Sequence, residues 1–235
     1  MERRMDAAAA DAQPRPLLLA MRGIEKSYPG VAALKGVDFE LRSGEVMALM
    51  GENGAGKSTL MKVLGGAVLP DAGLIEVAGR PVAVRDPVAA REAGIAMIHQ
   101  ELALVPALSA RENIFLGQER TRGGFVRAGE ERAIAGDLLR RLGVAVDPDL
   151  PCRRLSLAQQ QAVEIAKALA VDARIIILDE PTVGLDDDGL VRLEGVLRAH
   201  LAAGGTAMVS THVDLGLAAQ RTLRLVPAPP AERRR

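Results

Sequence analysis

The sequence predicts an α/β fold in which helices cover a mostly parallel sheet, and two observations carry this prediction. Apolar runs suited to buried strands alternate with amphipathic helical patterns, the order typical of parallel strands joined by helical crossovers. The 235 residues are enough for one large domain with a full hydrophobic core. The predicted strands lie near residues 17–21, 45–50, 95–98, 174–178, 206–210 and 222–226, and the predicted helices at 57–66, 128–142, 157–170 and 187–203.

Local signals support individual elements. The run EVMALM is short and apolar, as a buried strand requires, and TLMKVLGG is typical of a helix that stops at glycine. The last predicted helix has one apolar stripe and ends at a glycine pair. That stripe consists of Leu190, Leu193, Leu197 and Leu201, and the glycines are Gly204 and Gly205.

The segment between residues 101 and 156 has no strong strand signal and is rich in proline, glycine and short helical stretches. It is therefore predicted to be a helical subdomain inserted in a single domain over residues 17–226. Residues 1–16 and 227–235 are predicted to be disordered tails, since both are polar or broken by proline.

The overall charge and cysteine content exclude several classes of protein. The formal net charge is zero, so nothing global favours nucleic acid or an anionic membrane surface as a partner. Cys152 is the one cysteine, which excludes an intramolecular disulfide and a cysteine-rich metal site and suits a reducing compartment. No apolar run approaches the length of a membrane-spanning helix, and the N-terminal apolar stretch is too short for a secretory signal.

The run GENGAGKST fits the phosphate-binding pattern G-x-x-x-x-G-K-[ST] without a substitution. Gly51, Gly54 and Gly56 let the backbone bend so that its N–H groups converge on phosphate oxygens, at the positive end of the following helix. Lys57 supplies a cation to the β and γ oxygens, and Ser58 offers a hydroxyl to Mg²⁺. The sequence therefore predicts a nucleotide site between a strand and a helix.

A second candidate centre is RIIILDEPT, where a buried strand ends in two acidic residues. Asp179 and Glu180 would lie at the carboxyl end of that strand, where open α/β sheets bind ligands. Asp179 would hold Mg²⁺ directly or through water, and Glu180 would polarise the attacking water. The alternative is that these residues only cap the strand at a turn.

The order of five motifs resembles the ATPase subunit of ABC transporters. These are the phosphate loop, Gln100 in MIHQE, LSLAQQQ, LDEPT and His212, and the resemblance covers about residues 17–226. It implies a P-loop NTPase (RecA-like) core with an antiparallel β subdomain near the N-terminus and a helical insert at about residues 101–156. It also implies ATP hydrolysis with Mg²⁺.

The resemblance implies a role for each matching residue. Tyr28 would stack on adenine, although it could instead be a half-buried strand residue. The residues assigned to ATP are Tyr28, Gly51, Glu52, Asn53, Gly54, Ala55, Gly56, Lys57, Ser58 and Thr59. Catalysis is assigned to Glu180, Gln100 and His212, and Mg²⁺ to Ser58, Gln100 and Asp179. Gln100 could instead be a turn residue, and His99 and His200 are interpreted as structural.

The run LSLAQQQ resembles the signature motif that closes over ATP bound to the opposite subunit. Ser156, Ala158 and Gln159 are therefore expected to contact that ATP in trans. Ser156 and Gln159 also form the capping-box pattern of a helix start, and both interpretations can hold together. Leu157 and Ala158 stand where the family usually has glycine, which narrows the approach of the backbone to phosphate.

The resemblance also implies the partners. The chain should pair with a second ATPase subunit, identical or related, and dimerise better with ATP than with ADP. The other expected partners are transmembrane permease subunits and a periplasmic solute-binding protein, with no nucleic acid. The expected location is the cytoplasmic face of the inner membrane, as a peripheral protein.

Two parts of the sequence point to different solutes. Residues 17–182 resemble ATPases of monosaccharide importers, with IHQEL and ENIFLG as the most specific pieces, whereas residues 183–226 resemble the haem exporter ATPase of cytochrome c maturation. A hybrid joined near Pro181 and Thr182 would explain both. Sugar import ranks first because its resemblance covers more of the chain. The remaining candidate functions are haem export, a non-hydrolysing ATP-binding module, a non-functional hybrid, and a soluble ABC protein without a membrane partner.

Overall fold

A computed structural model describes residues 15–52, 54–98, 102–171, 173–179, 187–210 and 220–225. Its strands are β1 (Leu17–Tyr28), β2 (Val31–Arg42), β3 (Val46–Met50), β4 (Ala72–Val77), β5 (Arg80–Pro81), β6 (Ile95–Ile98), β7 (Thr121–Arg122), β8 (Phe125–Val126), β9 (Ile175–Asp179), β10 (Thr206–Ser210) and β11 (Gln220–Arg224). Its helices are α1 (Lys57–Leu64), α2 (Pro87–Glu92), α3 (Ala110–Phe115), α4 (Ala128–Arg141), α5 (Leu157–Ala170) and α6 (Asp187–Ala202), with a short 3-10 turn at Cys152–Arg154.

The central sheet has the strand order β11-β3-β10-β9-β6, and all neighbouring strands run parallel. This confirms the predicted α/β fold. The predicted strands and helices agree with the observed ones to within about two residues at most ends. Because β3, β9 and β10 are buried on both faces, their sequences are continuous apolar runs.

A second, antiparallel sheet has the order β2-β1-β4-β5, which confirms the expected antiparallel β subdomain. Strand β1 extends to Tyr28, well beyond the predicted 17–21, because it pairs with β2 along one edge and with β4 along the other. Its second half contains exposed polar residues. An apolar run therefore marks only the buried first half of this strand.

The parallel sheet has two covered faces, because side chains alternate along each strand. One face packs against α1 and the antiparallel sheet and includes Met47, Leu49, Ile175, Ile177 and Met208. The other packs against α5 and α6 and includes Val46, Ile176, Leu178, Ala207 and Val209. Leu193 and Leu197 of α6 lie in this second cluster, as the predicted stripe requires, whereas the side chain of Leu190 is outside the described part of the chain.

A separate apolar cluster joins α3, α4 and the first half of α5. Ala162, Val163 and Ala166 belong to this cluster, so the helical packing continues past residue 156, the predicted limit of the helical subdomain. The segment also contains the β7–β8 hairpin, where no strand was predicted, since its residues are exposed and leave no burial pattern. No described helix has the length and apolarity needed to cross a bilayer.

Candidate nucleotide-binding site

The phosphate loop connects the end of β3 to the start of α1, as the sequence predicts. Gly56 is the residue before α1 and has φ 94° and ψ 3°, a left-handed conformation that suits glycine. A Cβ atom on Gly56 would lie 2.5 Å from the carbonyl oxygen of Ala33, and one on Gly51 would lie 2.6 Å from that of Leu225. Both glycines are therefore required by close backbone neighbours as well as by the turn.

Lys57 is 7% exposed and its side chain folds back over the loop. Its Nζ donates hydrogen bonds to the carbonyl oxygens of Gly51 at 2.7 Å and Glu52 at 3.2 Å. Ser58 is exposed and Thr59 half-buried in the same first helical turn. That turn contains no acidic residue, so its positive dipole end and the ammonium group have the same sign and favour an anion.

Asp179 ends β9 and lies at the same edge of the sheet as the phosphate loop. In the sheet register it pairs with Ser210 of β10, which in turn pairs with Leu49 of β3. All three residues continue the set that faces α1, because residues two apart in a strand share a face. The structure thus brings Asp179 and the phosphate loop together, as expected for the carboxyl edge of a parallel sheet.

Ser210 is a residue of this edge that sequence reasoning missed. It is 1% exposed, and its hydroxyl has no hydrogen-bond partner in the described part of the chain. The one available signal was a polar residue at the end of the buried run TAMVS. The position of Ser210 beside Asp179 becomes visible only from the strand register.

Several expected site residues lie outside the described residues: Asn53, Gln100, Glu180 and His212, as does His99. Their expected roles therefore stay predictions. His200, interpreted from the sequence as structural, is half-buried, and its Nε2 lies 3.2 Å from the carbonyl oxygen of Thr206. Burial lowers the pKa of His200, which favours the neutral ring.

Tyr28 is 42% exposed at the end of β1. The Nζ of Lys26 lies 5.9 Å from the centre of the tyrosine ring and is held by Asp71 at 2.7 Å. The exposure of Tyr28 exceeds that of a half-buried strand residue, and an exposed ring is available for stacking.

The start of α5 is the expected signature segment, and its predicted capping box is confirmed. The hydroxyl of Ser156 accepts from the Gln159 N–H at 3.3 Å, and Gln159 Oε1 accepts from the Ser156 N–H at 2.9 Å. Ser156 is exposed, while Ala158 and Gln159 are half-buried. Leu157 is 54% exposed, so its side chain projects from the helix start.

The sequence matches the ABC transporter family over residues 34–183. Ribose import ATP-binding protein RbsA 1 of Rubrobacter xylanophilus is 50% identical over 201 residues, which is 85% of this chain and 40% of that protein. RbsA 2 of Streptomyces avermitilis is 49% identical and covers 86% of this chain and 40% of its own length. The chain therefore spans about 40% of the curated relatives that it matches.

The match to these relatives does not stop at residue 182. A putative ribose/galactose/methyl galactoside import ATP-binding protein of Burkholderia cenocepacia is 47% identical over 209 residues, or 89% of the chain. An alignment that ended at residue 182 could not cover that share of the 235 residues. Similarity to sugar importers thus continues into the segment from which haem export was predicted.

Solved structures give the same architecture. The dimeric structure of a bacterial ABC transporter cassette superposes with a TM-score of 0.75 at 27% identity, covering 89% of this chain and 95% of that one. CbiO1 from Clostridium perfringens, part of the CbiONQ ABC transporter complex, has a TM-score of 0.71 at 28% identity and covers 85% of this chain and 80% of its own. Because the family match spans most of the chain and contains both the phosphate loop and Asp179, the chain belongs to the ABC transporter family.

Proposed function

We propose that this chain is the ATP-hydrolysing subunit of an ABC transporter that imports a sugar. The observation that carries the proposal is the shared sheet edge, where the phosphate loop after β3 and Asp179 at the end of β9 face the same side. One of these features binds phosphates, and the other provides a carboxylate beside them. Together they have the parts that phosphoryl transfer requires: an anion cradle, a cation and a metal ligand.

ATP is proposed to bind with its phosphates in the loop. Lys57 would exchange its bonds to the loop carbonyls for phosphate oxygens, and the N–H groups at the start of α1 would contact the same anion. Tyr28, exposed at the end of β1, would stack on adenine. Phosphate recognition thus depends on the loop and α1, and base recognition on the antiparallel sheet.

The residues present fit Mg²⁺. Ser58 and Asp179 supply hard oxygen atoms, and the buried hydroxyl of Ser210 lacks a protein partner among the described residues at the same edge. The described residues contain no group of three histidine, cysteine, aspartate or glutamate side chains that could hold a metal. A magnesium ion bound chiefly through substrate phosphates and waters needs only one or two protein ligands. When bound, it would neutralise charge developing on the phosphates.

Hydrolysis is assigned to residues outside the described part of the chain. Glu180, which follows Asp179, would polarise the attacking water, while Gln100 and His212 would contact the water and the γ-phosphate. Their order along the sequence supports this assignment. If hydrolysis is absent while ATP binds, the chain is instead a non-hydrolysing module.

A second ATPase subunit is proposed to complete each nucleotide site. The exposed start of α5 has a satisfied cap and a positive dipole end, and Ser156, Ala158 and Gln159 would meet the γ-phosphate held by the partner. The dimeric cassette structure among the similar folds supports such an arrangement. ATP should therefore favour the dimer, and hydrolysis should release it.

Sugar import is favoured over haem export by the relatives. Their names specify ribose or galactose import, and their match crosses residue 182. The proposed partners are therefore permease subunits and a periplasmic sugar-binding protein, with this chain attached to the cytoplasmic face of the inner membrane. Haem export remains the second candidate because of the resemblance of residues 183–226.

The activity is tested with Glu180→Gln. In MgATP this variant should form a stable dimer by light scattering and release almost no phosphate, whereas the unchanged protein should hydrolyse ATP and return to monomers. Glu194→Gln is the matched control, because Glu194 lies on α6 and binds Arg198 at 3.0 Å. ATP binding without phosphate release by the unchanged protein would refute the enzyme assignment.

The solute is tested by reconstitution. The chain is co-expressed with the products of its neighbouring genes, and ATP hydrolysis by the purified complex is measured in proteoliposomes with ribose or galactose and a binding protein, or with haem. Stimulation by a sugar supports import. Stimulation by haem alone assigns export instead.

A further inference from the structure

The buried hydroxyl of Ser210 lacks the partner that such a group normally has. Buried hydroxyls in folded proteins almost always bond to protein or to ordered water. Ser210 is 1% exposed and ends β10, yet its Oγ forms no hydrogen bond in the described part of the chain. Thr206, in the same strand and on the same face, shows the usual arrangement, because its Oγ1 donates to the carbonyl oxygen of Glu45 at 2.6 Å.

Ser210 lies between the two parts of the proposed site. Strand β10 is the strand between β3 and β9, and Ser210 pairs with Leu49 on one side and Asp179 on the other. Adjacent strands are about 4.8 Å apart, so the backbone of Ser210 is one strand spacing from that of Asp179. Two residues after Leu49, the chain enters the phosphate loop at Gly51.

The side chain of Ser210 is on the face that carries α1. Alternation places Ser210 with Met208, and Met208 belongs to the cluster that contains Leu60 and Met61 of α1. Helix α1 begins with Lys57 and Ser58 above this face. Ser210, Asp179 and the start of α1 therefore lie on the same face of the sheet, at its carboxyl edge.

We propose that Ser210 is a positioning residue for magnesium, a role that rests on the proposed ATPase function. Its Oγ accepts a hydrogen bond from a water bound to the Mg²⁺ that Ser58 and Asp179 hold with the nucleotide. A hydroxyl suits this task because it can accept from a water while its own proton turns elsewhere. Mg²⁺ keeps several of its waters in protein sites, so a water is the part of its shell that a short side chain can reach.

The test measures metal-dependent nucleotide binding rather than turnover. Ser210→Ala should bind ATP in EDTA within twofold of the unchanged protein, because the phosphate loop is intact. With ATP present, the Mg²⁺ concentration that gives half-maximal tightening of ATP binding should rise roughly three- to tenfold, the effect of one lost hydrogen bond. Isothermal titration calorimetry gives both quantities.

Thr206→Val is the matched control, since it removes a buried hydroxyl from the same face of β10. Because that hydroxyl has a protein partner, its loss should lower the thermal unfolding midpoint and leave the Mg²⁺ requirement unchanged. Ser210→Ala should leave the unfolding midpoint of the nucleotide-free protein unchanged or raise it, since no protein bond is lost.

Each other outcome overturns the inference. An unchanged Mg²⁺ requirement in Ser210→Ala, with Mg²⁺ tightening ATP binding in the unchanged protein, refutes the role of Ser210 and leaves the ATPase proposal intact. A Ser210→Ala protein that fails to fold shows that the hydroxyl is structural. Failure of the unchanged protein to bind ATP at all refutes both proposals.

Discussion

The ammonium group of Lys57 donates a 2.7 Å hydrogen bond to the carbonyl oxygen of Gly51, the first residue of the phosphate loop. A cation is thus held at the loop by two carbonyl groups, with the carbonyl of Glu52 as the second acceptor at 3.2 Å. Charge-assisted bonds of this kind are redirected readily to phosphate, which is the stronger acceptor.

Lys57→Ala is therefore expected to weaken MgATP binding by about tenfold to a hundredfold, as loss of one charged contact predicts. Isothermal titration calorimetry measures the change. Lys62→Ala is the control, because Lys62 lies on the same helix with an exposed side chain. If Lys57→Ala and Lys62→Ala bound MgATP with equal affinity, Lys57 would have no role in nucleotide binding.

Two capping boxes in the described part of the chain allow a structural role to be distinguished from a role in nucleotide binding. Ser156 caps α5 in the proposed signature segment, and Ser109 caps α3 by the same pattern with Glu112. Replacing either serine by alanine should destabilise the protein by about 1 kcal/mol in urea unfolding. Only Ser156→Ala should also weaken the ATP-dependent dimer, as measured by light scattering of proteins that also carry Glu180→Gln. Equal dimerisation of the two double variants would contradict a role of Ser156 in trans.

The capping box of α3 predicts a specific pH dependence. The hydroxyl of Ser109, and then its backbone N–H, donate to Glu112 Oε2 at 2.7 and 2.8 Å and lower the pKa of that carboxyl. A lowered pKa in the folded state means that the ionised carboxylate stabilises the fold. This contribution is complete above the ordinary glutamate pKa of about 4.3 and is lost as the pH falls through the lowered value.

Glu112→Gln should therefore reduce the free energy of unfolding at pH 7, and the difference from the unchanged protein should shrink as the pH falls below about 4. Urea unfolding across this pH range measures it. Glu92→Gln, which removes a carboxylate at an exposed position of α2, is the matched control. A difference that grows toward acid pH would contradict a stabilising carboxylate at this cap.

The side chain of Asn113 forms hydrogen bonds with the two segments that precede α3 and α5. Its side chain is fully buried, accepts from the Val105 N–H at 2.8 Å, and donates to the carbonyl oxygen of Ser109 at 3.0 Å and to Cys152 Sγ at 3.2 Å. Asn113→Ala removes the acceptor of the Val105 N–H inside the helical cluster, whereas the carbonyl oxygen of Ser109 keeps its backbone hydrogen bond from residue 113. The variant should be destabilised by about 2–3 kcal/mol in urea unfolding.

The reactivity of the Cys152 thiol measures the destabilisation caused by Asn113→Ala without the use of denaturant. It is 1% exposed, and burial raises its pKa, so it should react slowly with a disulfide reagent at pH 8 in the folded protein. Asn113→Ala should speed this reaction. Gln118→Ala is the control, because the Gln118 side chain is half-buried and, among the described residues, donates only to the carbonyl oxygen of Ile114, at 3.2 Å. A thiol that reacts quickly in the unchanged protein would contradict the packing of this cluster.

Burial decides which strands could be predicted from the sequence. Strands β9 and β10 are covered on both faces and therefore stand out as apolar runs. Strand β2, Val31–Arg42, was not predicted individually, because it is only half covered and its pairing with β1 is interrupted by register shifts. The expected antiparallel subdomain came from the family resemblance, and no local pattern located its second strand.

For the candidate site as well, the sequence predicts only residues that belong to a local pattern. The phosphate loop is contiguous, so its residue pattern alone predicts Lys57 and Ser58. Asp179 ends an apolar strand and could be predicted from that position. Ser210 could not, because a serine beside Asp179 is far from it in sequence, and only strand register brings the two together. Side-chain register has no signature in a single sequence.

The order of strands in the central sheet has a consequence for synthesis. Strand β3, which leads into Gly51, is bordered by β10 and β11, both made of residues after 205. Leu225 also lies against Gly51, with its carbonyl oxygen where a side chain would begin. Domains begin to fold while the chain leaves the ribosome. A nascent chain that already includes GENGAGKST still lacks β10 and β11, the two strands that pair with β3. A nucleotide should therefore bind firmly only after about 170 further residues have emerged. Its binding would then stabilise the completed central sheet over the partly synthesised one.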